Sequence, residues 1–142
     1  MSGPRGRRDH PGSVSAELAL VTPLLLLLLV FVVMLGRLAE ARLQVNDAAA
    51  QAARAATSAG NAGSASLVAR QSATAGLASD GVTCSTLSVA TDVSDFVPGG
   101  VVRVAVTCHV SMADLSLLHL PGSETLRGSA VSPVDQYRSV GS

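Results

Sequence analysis

The chain has 142 residues, with ten basic and ten acidic side chains and a formal net charge of zero, which excludes the electrostatic footprint of a nucleic-acid binder. It is 48% hydrophobic yet only 2% aromatic, with no tryptophan. Length sets an expectation of one domain, and its core is thin, because alanine-sized side chains bury little area at about 25 cal/mol per Å².

Residues 1–12 read as a short basic leader carrying Arg5, Arg7 and Arg8. From Leu18 to Gly36 no residue is charged. At about 1.5 Å per residue that run spans roughly 28 Å, the thickness of a bilayer's hydrocarbon core. Residues 13–36 are therefore the predicted transmembrane segment. Pro23 removes one helical hydrogen bond near its start, which membrane helices tolerate and which leaves room for a kink or a break. The arginines ahead of the run outweigh Arg37 and Arg42, with Glu40 between them, on its far side. This favours a cytoplasmic N-terminus, a single pass through the cytoplasmic membrane and an extracytoplasmic remainder.

Glu17 stands at the lip of the run. A carboxylate costs about 2.5–3.5 kcal/mol at the centre of a membrane helix and less near an end. Two accounts of this region compete with a more specific one. The first is a secretory signal peptide cut after Ala41, in the sequence Ala39-Glu40-Ala41, releasing a secreted binding domain. The apolar run is longer than such signals usually have. The second is an unprocessed single-pass surface protein in which Glu17 only marks the interfacial end of the helix.

The specific account rests on Gly12 followed by Ser13-Val14-Ser15-Ala16-Glu17 and an apolar helix. This resembles the prepilin-peptidase motif of type IV pilins and pseudopilins. The longer stretch Ala16-Glu17-Leu18-Ala19-Leu20-Val21-Thr22-Pro23 and the six leucines after it resemble the TadE-like proteins of tight-adherence pilus systems. The tail Ser132-Pro133-Val134-Asp135-Gln136-Tyr137-Arg138 is similar to the tails of such proteins. Ser13 stands where many type IV pilins have phenylalanine, and Glu17-Leu18 where TadE-like proteins often have Glu-Phe. The resemblance implies a prepilin-type peptidase that cuts after Gly12 and leaves Ser13 first and Glu17 fifth. It implies a structural role, as a minor pilin or pseudopilin in assembly or anchoring of a tight-adherence pilus or a related secretion machine. The implied partners are membrane lipid, that peptidase and other pilin-like subunits or assembly proteins. The residue chemistry agrees. Glycine has no Cβ to obstruct close passage through a peptidase site, and cleavage exposes an α-amino group that is mostly positive at neutral pH. Glu17 then pairs with an ammonium, its own or a neighbour's, as a register device.

Residues 37–63 continue as an amphipathic helix and linker outside the membrane. Leu38, Ala41, Val45, Ala48, Ala52 and Ala55 recur at steps of three and four, and Arg37, Glu40, Gln44, Asp47, Gln51, Arg54 and Ser58 form a polar seam beside them. The spacing predicts a helix to about Ser58, stopped by the Gly- and Asn-containing stretch 57–63. Its alanine seam either packs on its own domain or is reserved for other subunits. Residues 64–79 read as a weaker helix, with Leu67, Val68 and Leu77 as its larger apolar residues, or as a loose linker.

Residues 64–142 are expected to form a small α+β domain with an antiparallel sheet. The strict alternation of Val102, Val104, Val106, Cys108, Val110 and Met112 with smaller or polar residues predicts a half-buried strand. Its partner is Val82 to about Asp92, joined through Pro98-Gly99-Gly100. Glu124 to Ser132 reads as a third strand. Between them Leu115, Leu117, Leu118 and Leu120 form either a helical turn covering the sheet or a docking patch. Cys84 and Cys108 flank the hairpin and, in an exported domain, suit one disulfide. Cys84 is out of phase with Leu87 and Val89, so either a bulge intervenes or Cys84 precedes the regular strand.

His10, His109 and His119 show no metal-ligand spacing. Asp92, Asp95 and Asp114 lack a calcium-loop pattern. No nucleophile elbow or phosphate-binding loop occurs. The sequence therefore predicts no enzyme, no cofactor and no metal.

Overall fold

A computed structural model describes residues 11–115 and 119–137. The leader arginines Arg5, Arg7 and Arg8, together with His10, Leu117, Leu118 and Arg138, lie outside the described residues. The element order is α1 (Pro11–Thr57), α2 (Ala62–Ser79), β1 (Thr86–Asp95), β2 (Val101–Ser111), α3 (Met112–Leu115) and β3 (Ser123–Pro133). The chain divides after Leu35 into two compact units, each described separately below.

The first unit is the N-terminal part of α1. The helix passes through Pro23 without a break. Pro23 has no N–H, so one backbone bond is missing there. Just before it, the Thr22 hydroxyl donates to the Leu18 carbonyl at 2.8 Å. The apolar side chains from Val14 to Leu35 are 43–75% exposed wherever they count as exposed, and the most apolar window of the helix is 0% buried. Among the described residues nothing covers them.

The second unit, from Gly36 onward, holds the core. Its sheet has the order β1-β2-β3, antiparallel throughout. The predicted alternation of β2 is realised as far as Val110, with Val102, Val104, Val106, Cys108 and Val110 all buried, whereas Met112 is half-buried and opens α3. Leu126 of β3 joins them, and Val134 follows just beyond the strand. Each such aliphatic side chain contributes about 1.5–3 kcal/mol on burial, so the sheet supplies most of the apolar stabilisation. β3 pairs with β2 in unbroken register from Ser123↔Ser111 to Pro133↔Val101. β1 is shifted between Asp92 and Asp95. There the Ser94 hydroxyl and N–H bond the Asp92 carboxylate and hold it below the usual carboxylate range, with Arg103 adding a smaller effect. The small stabilisation this gives is present above the unfolded pKa and is lost as pH falls through the folded one.

The α1 residues of this unit pack on two sides. Ala41, Val45, Ala48, Ala49, Ala52, Ala53 and Ala56 are all buried. The expected seam is thus two adjacent rows wide, and Ala56 replaces the half-buried Ala55 as its innermost end. Of the two uses open to that seam, packing within the chain's own domain is the one observed. One neighbour is α2, whose buried face is Ala65, Ala69, Ala73, Gly76 and Leu77. Small residues let the two helices approach: a Cβ on Gly76 would lie 3.8 Å from the Ala48 Cβ and 3.3 Å from Gln51 Oε1. The other neighbour is β3. A Cβ on Gly128 would lie 2.7 Å from the Val45 carbonyl oxygen, so strand and helix backbones touch there.

Three expected boundaries move. Residues 58–61 link the two helices, and α2 starts at Ala62, two residues early, because the Asn61 side chain accepts from the Ser64 N–H at 2.9 Å and caps it. Leu67, expected among its larger apolar contacts, is 59% exposed. β1 starts at Thr86 rather than Val82 and runs to Asp95, since the Val82 N–H is taken by the Leu77 carbonyl at the end of α2.

Cys84 and Cys108 are joined in a disulfide with Cα atoms 5.3 Å apart. Cys84 precedes the regular strand, and the neighbouring Ser85 N–H donates to the His109 carbonyl at 2.7 Å. This resolves the phase mismatch without a bulge at that point. The bond closes a loop that the chain-entropy model values at roughly 3 kcal/mol. Cys84→Ser combined with Cys108→Ala is expected to lower thermal stability by about 12 °C or more, at about 4–8 °C per kcal/mol for a unit of this size. Mass spectrometry of the non-reduced protein from its native envelope should find the two peptides linked; two free thiols there would overturn the expectation.

Candidate functional site

The first turns of α1 carry all three residues of the predicted processing and assembly signal. Gly12 is the second residue of the helix, and a Cβ built on it meets nothing within 4 Å. Among the described residues no contact requires glycine at this position. Ser13 and Glu17 are both exposed. Four residues apart on a helix, they share a face with an axial rise of about 6 Å. A charged nitrogen at Ser13 and the Glu17 carboxylate would thus be within side-chain reach of each other. Beyond Glu17 the exposed face is apolar. Leucines contribute about 0.3–0.6 kcal/mol each toward insertion at a helix centre. The six from Leu24 to Leu29 together outweigh a single carboxylate held near an end. The helix is a candidate single membrane span.

Residues 12–54 match the family model described as TadE-like protein. Over this helix the chain is similar to TadE-like proteins. The TadE-like match begins at Gly12 and stops three residues before the end of α1, so it takes in the motif, the apolar run and most of the alanine rows. It extends past the 12–37 stretch that carried the resemblance in the sequence. No curated protein and no solved structure matches the chain. The sheet, the disulfide and the tail lie outside the TadE-like segment.

The tail is tied down as far as Val134, which is buried. Its N–H donates to the Gly100 carbonyl at 2.8 Å, and its carbonyl accepts from the Gly99 N–H at 3.2 Å. Tyr137 is exposed, its N–H donating to Asp135 Oδ1 at 3.0 Å.

The remaining polar residues make structural contacts. His109 Nδ1 meets the Thr125 hydroxyl at 2.9 Å on the outer side of the sheet. His119 is exposed, with a φ of 49°. Among the described residues no three histidine, cysteine or acidic side chains gather into a metal-binding group. An open groove of about 330 Å³ is lined by Arg37, Glu40, Gln44, Asp80, Asp114 and Leu115, among others. It brings carboxylates together with one guanidinium. Leu115 is half-buried against the core and Leu120 is exposed at 39%, while Leu117 and Leu118 lie outside the described residues.

Sequence reasoning missed Gly128, Gly76 and Asn61. A signal existed for two of them. Glycine inside a strand marks close backbone approach, and an Asn three residues before a polar N–H at a helix start marks a cap. The ion pair of Arg42 with Glu124 at 3.2 Å joins residues 82 positions apart and had no sequence signal.

Proposed function

We propose that this protein is a minor pilin or pseudopilin-like structural subunit that assembles or anchors a tight-adherence type pilus or a related secretion machine. One observation carries the reading: a TadE-like helix with an uncovered apolar face, headed by Gly12 and by Ser13 and Glu17 on one face. In this reading the leader stays in the cytoplasm, a prepilin-type peptidase cuts after Gly12, and the helix packs laterally beside other pilin-like subunits in the bilayer. The Glu17 carboxylate meets the ammonium freed at Ser13 and sets helix register, since a buried charge without its partner costs about 3–5 kcal/mol. The alanine rows are consumed inside the chain's own second unit, so lateral contacts fall to the span. Burial of Ala41 inside α1 supports the anchored form over release by cleavage at that residue.

Sequencing the mature N-terminus tests the proposal. Ser13 supports it, Arg42 would support a secreted domain, and a retained leader would support a plain surface anchor. Topology gives a second expected result. A cysteine at Ser139 should be labelled by an impermeant reagent on intact cells, whereas one at Ser2 of an unprocessed variant should not. The reverse pattern would defeat both the orientation and the pilin-like role.

A further inference from the structure

The bond between Cys84 and Cys108 joins two sulfurs in unlike surroundings. Cys108 lies in β2, the central strand of the sheet. It is buried on the core face, and its partners in register are Leu87 of β1 and Leu126 of β3. Cys84 lies outside regular structure, in the segment 82–85 between α2 and β1. It is half-buried, and its two neighbours in the chain, Thr83 and Ser85, are exposed. The segment is held at its ends. The Val82 N–H donates to the Leu77 carbonyl at 2.9 Å, and the Ser85 N–H and hydroxyl donate to the His109 carbonyl at 2.7 Å and 2.9 Å. From this asymmetry we infer that Cys84 is the thiol-exchange site of the second unit. It is the sulfur through which a thiol–disulfide exchange protein makes and breaks the bond, and Cys108 is the resolving sulfur.

A thiolate attacks a disulfide sulfur in line with the bond it breaks, so the rate depends on which sulfur can be reached. Attack on Cys108 has to pass through the side chains that bury it. Attack on Cys84 needs access only at the segment 82–85. In the breaking direction, the incoming thiolate bonds to Cys84 Sγ and the electron pair of the old bond leaves on Cys108 Sγ. That sulfur takes up a proton, because apolar surroundings disfavour a thiolate. In the forming direction, the Cys84 thiolate attacks the partner's disulfide and expels one of its two sulfurs as a thiolate. The Cys108 thiol then gives up its proton and attacks Cys84 Sγ, expelling the partner's other sulfur. Two cysteines are oxidised and the partner's disulfide is reduced to a dithiol. The partner therefore engages the segment 82–85, and β2 stays paired in the sheet while it does so.

The test uses the oxidised wild-type full chain in detergent micelles, once folded and once in urea, with reduced glutathione as the probe. Exchange is stopped early with acid, free thiols are blocked with N-ethylmaleimide, and the peptides are mapped by mass spectrometry. The folded chain should carry glutathione on Cys84 in about tenfold or greater excess over Cys108, because access decides which sulfur is attacked. In urea that difference in access is gone, and the two adducts should agree within about twofold. Comparable adducts on the two cysteines of the folded chain, or an excess on Cys108, would overturn the assignment. Adducts that form only in urea would overturn it as well, since the folded unit would then offer neither sulfur.

Discussion

Gly128→Val is expected to remove a large fraction of the stability of the second unit. A Cβ at position 128 would stand 2.7 Å from the Val45 carbonyl oxygen and 2.8 Å from Val45 C and Asn46 Cα. All three are backbone atoms of α1, so no side-chain rotation relieves the clash. Valine would otherwise favour a strand by up to about 1 kcal/mol. Overpacking a tight site costs about 1–3 kcal/mol and sometimes more, and against rigid backbone it decides the sign. Set against a total of about 5–15 kcal/mol, that is a large fraction for an alanine-rich core. Gly128→Ala, the milder change, should lower the melting temperature by about 8–16 °C, at about 4–8 °C per kcal/mol. Ser129→Val, on the exposed face of the same strand, should change it little. Circular dichroism of the full chain checks both, and a Gly128→Ala melting temperature equal to wild type would mean that helix and strand do not meet at this point.

Gly12→Leu is expected to abolish processing, and Glu17→Ala to separate insertion from assembly. The open surroundings of Gly12 mean that leucine does not strain this chain. Any loss of cleavage therefore reports on the peptidase, to whose site a branched side chain denies close approach. Glu17→Ala takes a carboxylate out of the membrane segment, so the helix should insert at least as well as wild type. It should nevertheless fail to incorporate beside neighbouring subunits, because the ammonium at Ser13 loses its partner. The two variants should thus differ in the mature N-terminus and agree in defective piliation. Wild-type co-purification with the assembly machinery and wild-type piliation in Glu17→Ala would reduce Glu17 to an ordinary helix-end residue.

What could be read from residues alone follows one rule: information was legible where it is carried by neighbours in sequence. The uncharged run from Leu18 to Gly36, the helix continuing to Thr57 and the β2 alternation each depend on a local period. The candidate processing motif is local too, since Gly12, Ser13 and Glu17 lie within two turns. Periodicity also showed that Ala41, Val45, Ala48 and Ala52 face one way. It left open what they face.

The tertiary structure decided that, and for a physical reason. Alanine has so little surface that its hydropathy does not reveal whether it lies against a helix, a sheet or a second subunit. Contact distance settles the matter, through the glycines that permit it. Gly76 brings α2 onto one side of α1 and Gly128 brings β3 onto the other. Leu67 shows the converse: the largest side chain on its turn of α2 points outward because small residues have taken the close-packed face. The phase of Cys84 was undecidable from alternation because it depends on where the end of α2 captures the Val82 N–H, a bond between an element's end and the chain beyond it. The sequence by itself determined the candidate span, the helix that continues it, the central strand and the candidate signal at the head of the chain. Only the packed structure determined which faces were already occupied, because occupancy is a property of distance between elements and has no period along the chain.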